Sequence, residues 1–238
     1  MSFDGRRVAF WGAWGTETRT VTLTCGSEGN AAVIAACIAQ SDGGSGTTTR
    51  EVPRHQGIFV KDVVTGELTL VAETGDAYQD FLFWTFSGRP PGTDGGEEED
   101  EGEPPRWRAS AFIAQDAGRV AFKALKTPDG DDGASLFGLF LDLGEGVNPF
   151  EVLGEGMAGT LVDPLAVGEL GNPLPISAIA IERDGFRNGL LAISVSMASE
   201  ATGWAGVYLA RVSVPEPGTL ALFAGDLLML GVARRRRA

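Results

Sequence analysis

Apolar residues in this chain fall into short runs bounded by glycine or by charge, and the runs return in a fixed order. "GRRVAFWG" (5–12) comes back as "AGRVAFKA" (117–124) and more loosely as "RNGLLAISVS" (187–196). A second phrase follows each: "QGIFVKDVVTGELTLVAETG" (56–75), "FGLFLDLGEGVNPFEVLGEG" (137–156) and "AGVYLARVSV" (205–214). A third phrase precedes two of the units, "ASAFIAQDAG" (109–118) and "ISAIAIERDG" (176–185). Shared order at recurring intervals marks an internal repeat, not a shared composition. Each run is too short for a helix and rich in Val, Ile and Phe, so it reads as a strand.

Thr65–Gly66 reads as the turn inside the second phrase, because glycine takes the positive φ of a tight hairpin at no steric cost. One unit is then an antiparallel meander of "SAFIA", "RVAF", "GIFV" and "LTLVA". Strands with no clean polar alternation need cover on both faces, and stacking such meanders provides it. The pattern predicts an all-β chain of about three antiparallel blade-like sheets, an open or partial β-propeller, with one C-terminal hydrophobic helix. A twisted β-sandwich is the alternative. Residues 13–55 interrupt the first unit. They hold "TRTVTLTC", then "AAVIAACIAQ", which fits either part of an extra hairpin or a short helix, and then a flexible "SDGGSGTTTRE". Residues 88–105, "GRPPGTDGGEEEDEGEPP", cannot bury apolar surface and are expected to be a disordered loop.

The chain has 238 residues and a net charge of −13. Its last 25 residues carry four arginines against Glu216 and Asp226, so the body alone holds −15. With no basic stripe, that body repels phosphate backbones and is expected to bind no nucleic acid. The 34 glycines and 12 prolines suit many tight turns. Cys25 and Cys37 can be brought together by a hairpin, and an oxidising compartment would keep a disulfide between them; two small buried thiols are the other reading.

Candidate chemistry is sparse. The acids Asp94, Glu97, Glu98, Glu99, Asp100, Glu101 and Glu103 lie among glycines, which fix no calcium geometry. "DGDDGASLFGLF" (129–140) begins like a calcium loop but has Gly133 and Phe140 where ligands belong, so it reads as a hairpin turn. His55 has no second histidine to share a site and reads as a turn residue before a strand. The chain has no GxSxG. Trp11, Trp14, Trp84, Trp107 and Trp204 read as packing between sheets more than as a sugar-stacking surface. No metal, cofactor or catalytic site is expected, and the chain is read as a non-enzyme.

The C-terminus has a different grammar. Val214, Pro215, Glu216 and Pro217 form an extended hinge, since each proline removes a donor and disfavours helix before it. Residues 219–233, "TLALFAGDLLMLGVA", follow with a single charge, and Arg234, Arg235, Arg236 and Arg237 close the chain. As a helix that run rises about 22 Å against a hydrocarbon core of about 30 Å. Asp226 near its centre costs about 2–3 kcal/mol more. The arginines hold the C-terminus on the cytoplasmic side, which puts the body outside the inner membrane. The expected division is therefore a repeat region over 1–213 and a tail over 214–238 with a transmembrane helix at 219–233.

"VPEPGTLAL" (214–222) followed by "ARRRRA" (233–238) resembles the PEP-CTERM sorting signal of Gram-negative bacteria. The resemblance implies recognition by an exosortase, removal of the tail, a transient inner-membrane intermediate and release of the body to the cell surface or extracellular matrix. It also implies an association with exopolysaccharide and biofilm. The body resembles an uncharacterised β-propeller-like repeat family found before such tails, on "RRVAFWG", "QGIFVKDVVTGELTLVAETG", "FLFWTFSG" and "PPRWRASAFIAQDAGRVAFKA"; that resemblance implies blades and no activity. A polysaccharide-binding or polysaccharide-cleaving propeller and a permanently tethered membrane protein are the alternatives. "MSFDGRRVAFWGAWG" is not a secretory signal, and three units are too few to close a ring of about 4–8 blades. Both facts predict further units and a leader encoded upstream of Met1.

Overall fold

The computed structural model describes residues 1–27, 30–75, 77–88, 104–128, 135–144, 146, 148–199 and 202–212. The chain is mostly strand with little helix, and one of its sheets curls into a half-barrel. Strands β1 (Ser2–Phe3), β2 (Arg7–Thr24), β3 (Thr47–Asp62) and β4 (Leu68–Glu73) lie side by side in that order, every pair antiparallel. After β5 (Tyr78–Asp80), a separate hairpin joins β6 (Phe83–Ser87) to β7 (Arg106–Ser110). The second sheet is built on β8 (Ile113–Asp116), β9 (Arg119–Lys126), β10 (Phe137–Asp142) and β11 (Phe150–Gly154). Both β8 and β5 pair with the same strand, β9. The third sheet is β12 (Ile176–Arg187), β13 (Leu190–Ala198) and β14 (Gly203–Arg211). The three repeated units thus become three consecutive antiparallel meanders.

Two apolar layers hold the meanders together. Ala9, Ile58, Val60 and Ala72 of the first sheet pack with Tyr78, Val120, Phe122 and Phe140 of the second. Ala121, Leu139, Leu141 and Leu153, on the other face of the second sheet, pack with Ile179, Ile181, Ile193 and Val195 of the third. The middle sheet is therefore covered on both sides, which is why residues 120–124 are buried without interruption. A half-buried strand would show every second position to water.

The first strands of the three units converge on a buried polar joint. The Gln115 N–H donates to Ser2 Oγ at 3.2 Å, and its Nε2 donates to the Ser2 carbonyl at 2.8 Å and to the Arg7 carbonyl. Ser2 Oγ donates in turn to the Arg183 carbonyl of β12 at 2.6 Å. Gln115 is fully buried and Ser2 nearly so. Around this joint, the hairpin turn of one unit is gripped by the unit before it. Asp4 accepts from the backbone N–H of Arg7 at 2.7 Å, of Arg6 at 2.9 Å and of Gly118 in the next unit's turn. Asp116 accepts from Arg119 Nη2 at 2.5 Å and from the Gly189 N–H of the following turn at 2.7 Å. Ala117 and Gly118 have φ of 50° and 85°, and Asn188 and Gly189 have φ of 52° and 73°; positive φ at both central positions is the I′ hairpin form. A side chain at Gly118 would also run into the Arg7 guanidinium.

Several expectations are corrected. Residues 13–55 do not form an added hairpin between two strands. They prolong β2 and β3 themselves, paired from Thr18–Pro53 out to Thr24–Thr47 after a register shift past Trp14. Thr47–Glu51 of the expected flexible stretch is strand, because its β-branched threonines pair across with "TRTVTLT". The ambiguous "AAVIAACIAQ" is a helix, α1 (Ala31–Gln40), whose first turn is capped by the Asn30 side chain accepting from Ala32 N–H at 2.9 Å. His55 lies inside β3, opposite Trp14, and not in a turn. The sheets hold four, five and three strands, so the described residues make neither uniform four-stranded blades nor a closed ring. The second sheet gains β5 on the edge of β9, and the third has no fourth strand among the described residues. The acidic residues 89–103, the expected turn at 129–134 and the expected tail helix at 219–233 lie outside the described residues. Among the described residues no helix is long and apolar enough to cross a membrane.

Replacing Gln115 by Leu removes the donor to the carbonyls of Ser2 and Arg7 while keeping similar bulk. It is expected to cost about 2–3 kcal/mol of stability, read from the urea midpoint. A loss under about 0.5 kcal/mol would show that the joint is decoration.

Candidate functional site

The sequence places its sharpest functional signal in the tail, so the way the body delivers that tail is the first question. Strand β14 pairs along its whole length with β13, ending at Arg211 opposite Leu190. The next residue is still held: the Val212 N–H donates to the Gly189 carbonyl at 2.8 Å, and the Val212 carbonyl accepts from Arg119 Nη1 at 3.2 Å. Arg119 is itself fixed by Asp116 and lies with its guanidinium 5.3 Å from the centre of the Phe186 ring. The grip between the second and third sheets thus also anchors the last described residue. Val214, Pro215, Glu216, Pro217 and Arg234 to Arg237 lie outside the described residues.

Residues 213–237 match the family model of the PEP-CTERM protein-sorting motif. The chain carries a PEP-CTERM sorting motif. The motif indicates an exported surface protein sorted by an exosortase, and the match begins at the residue directly after Val212. No curated protein and no solved structure matches the chain, so no homologue supports the resemblance of the body to a repeat family.

Cys25 and Cys37 are joined by a disulfide, with Cα atoms 5.9 Å apart. The bond ties the end of β2 to the last turn of α1, and Cys37 is buried there. It therefore closes the far end of the long β2–β3 hairpin, away from the two apolar layers. A loop of this size contributes about 3 kcal/mol in the chain-entropy account, and a disulfide persists in the oxidising surroundings an exported protein meets.

The five tryptophans do not gather in one cleft. Trp11 turns inward and donates to Gln56 Oε1 at 3.0 Å, while Trp14, on the opposite face of β2, stacks on His55 with centroids 6.1 Å apart. Trp107 meets Phe86 edge to face. Trp84 is half-buried in β6, its Nε1 without a partner among the described residues. Trp204, on β14, shares Asp163 with Tyr208, at 3.2 and 3.1 Å. His55 has Glu17 at 3.8 Å, and the described residues bring no nucleophile to it. Among the described residues no three His, Cys, Asp or Glu side chains converge on a metal-sized space.

Sequence reasoning missed Asp62. It accepts from the N–H groups of Val64 at 2.9 Å and Thr65 at 3.0 Å, closing the β3–β4 turn, and from Arg6 Nε at 2.7 Å. The Thr65 N–H, opposed by desolvation and joined by Val64 and Arg6, lowers its pKa from 3.8 to about 2. The signal was present as Asp followed by two residues and Thr–Gly, an Asx-type turn. Because the folded pKa is depressed, the stability Asp62 contributes is complete above pH 3.8 and is lost as pH falls through about 2.

Asp62→Asn is accordingly expected to flatten the acid limb of the stability curve between pH 4 and pH 2. Urea midpoints measured across that range check it; a variant as acid-sensitive as the parent contradicts the assignment.

Proposed function

We propose that the body is a non-catalytic module of the cell surface or extracellular matrix, associated with exopolysaccharide and biofilm. An exosortase delivers it by recognising Val214–Pro217 and removing the tail. The single observation that carries this reading is the match of residues 213–237 to the sorting motif. The hold on Val212 supports it, because a processing enzyme acting at 214–217 works two residues from a backbone position fixed to the third sheet. Short tethers of this kind restrict where a substrate can reach. The Cys25–Cys37 bond is further support, since it suits a chain that works outside the cytoplasm.

In this reading residues 219–233 are a temporary membrane handle, as the tail of a GPI-anchored precursor is. Pro215 and Pro217 keep the motif out of the helix, and Arg234–Arg237 set the orientation. The three stacked meanders are then successive blades of a propeller-like array.

The test is the mass of the protein recovered from the surface of a host that carries an exosortase. The expected product ends within or just after residues 214–217, and Glu216→Ala leaves the uncut chain in the inner-membrane fraction. Surface protein that retains Arg234–Arg237 would overturn the sorting reading in favour of a permanently tethered one.

A further inference from the structure

Among the described residues the buried charged side chains are Asp62, Asp80, Asp142 and Lys123, and Lys123 is the one cation. Lys123 lies in β9, and its side chain is 4 % exposed. Its ammonium donates to the Ile179 carbonyl of β12 at 2.8 Å, and Glu155 Oε1 stands 3.7 Å away. The rings of Phe83 and Phe137 are centred 4.2 and 4.5 Å from the nitrogen. Burial pushes the Lys123 pKa below the ordinary lysine range against the pull of Glu155. An aliphatic residue of similar length would sit between these sheets without that desolvation cost.

The position has one feature that packing does not explain. An open cavity of about 450 Å³ borders Lys123, with Phe83 and Phe112 also on its wall and Ser194, Ser196 and Ala205 of the third sheet lining it too. That volume is in the range of small-molecule sites, which combine apolar walls with a few polar groups. A lysine amine set in an apolar wall, with a carboxylate beside it, is the arrangement that favours addition to a carbonyl.

We propose that this cavity binds small aldehydes or ketones with apolar bodies and that Lys123 captures them as a Schiff base. The Lys123 ammonium passes a proton to the Glu155 carboxylate, and the freed lone pair of Nζ adds to the carbonyl carbon. The π pair moves to oxygen, which takes up the proton, giving a carbinolamine. Nζ then loses its second proton, the hydroxyl leaves with one proton as water, and the C=N bond forms. Amine and carbonyl become imine and water, with no oxidant or reductant consumed. Ser194 and Ser196 offer hydroxyls to the carbonyl oxygen at the outset.

The chain has three lysines, so Lys61 and Lys126 serve as internal references. Lys61 donates to the Gly66 carbonyl and Lys126 pairs with Glu151 at 2.8 Å, outside the cavity. The native full chain is incubated with hexanal and sodium cyanoborohydride, which fixes any imine as a hexyl amine, and the adducts are mapped by peptide mass. Lys123 is expected to be labelled about tenfold faster than either reference, and unfolding in urea is expected to erase the preference. Ala205→Trp fills the cavity while leaving Lys123 in place, and is expected to bring its labelling down to that of Lys61 or below. Native labelling of Lys123 no faster than of Lys61 would overturn the proposal. So would an unchanged rate in a folded Ala205→Trp chain.

Discussion

Everything in this body hangs on the need to satisfy backbone groups where three sheets crowd together. The first strands β1, β8 and β12 meet there, and the carbonyls of Ser2, Arg7 and Arg183 each accept from a side chain at the joint. One amide side chain and one hydroxyl serve all three, and both are buried. The apolar layers supply the larger driving force, about 25 cal/mol per Å² of surface removed from water. They do not set the order of the sheets, since Val, Ile and Phe pack against one another in many arrangements. The hydrogen bonds of Gln115 and Ser2, and the grip of Asp4 and Asp116 on the following turns, hold in one arrangement only.

How much of this was legible follows from what kind of signal each element carries. The meanders were legible because their strands recur in order, and because "RVAF" has no polar alternation to suggest an open face. The extent of β2 and β3 was not, since "TRTVTLTC" and "TTTRE" are polar enough to pass for loop although threonine pairs well across strands. Ten residues of "AAVIAACIAQ" could not separate helix from strand; the Asn30 cap settles it in favour of α1. The joint itself was invisible, because Ser2 and Gln115 are ordinary residues whose role comes from three distant segments meeting. Asp4 and Asp116, each three residues before an arginine, were readable as turn residues but not as partners of the next unit's turn. The tail was the reverse case. Its meaning lies in linear order, so it could be read without any fold.

The body and the tail meet at one point, and the same residues serve both. Arg119 belongs to the "AGRVAF" phrase, is held by Asp116 beside the turn at Gly189, and bonds the carbonyl of Val212. The repeat that stacks the sheets therefore also holds the residue directly before the sorting motif. Export imposes a second demand, that the far tip of the long hairpin survive away from the two main apolar layers. The Cys25–Cys37 bond meets that demand by covalent closure.

If the buried joint makes the three sheets a single cooperative unit, native-state hydrogen exchange shows it most directly. The amides of Gln115, Gly189 and Val212, together with those of β9 and β13, should exchange through one common opening whose free energy equals that of global unfolding. Exchange of the third sheet at a distinctly lower free energy, with β9 still protected, would contradict the account.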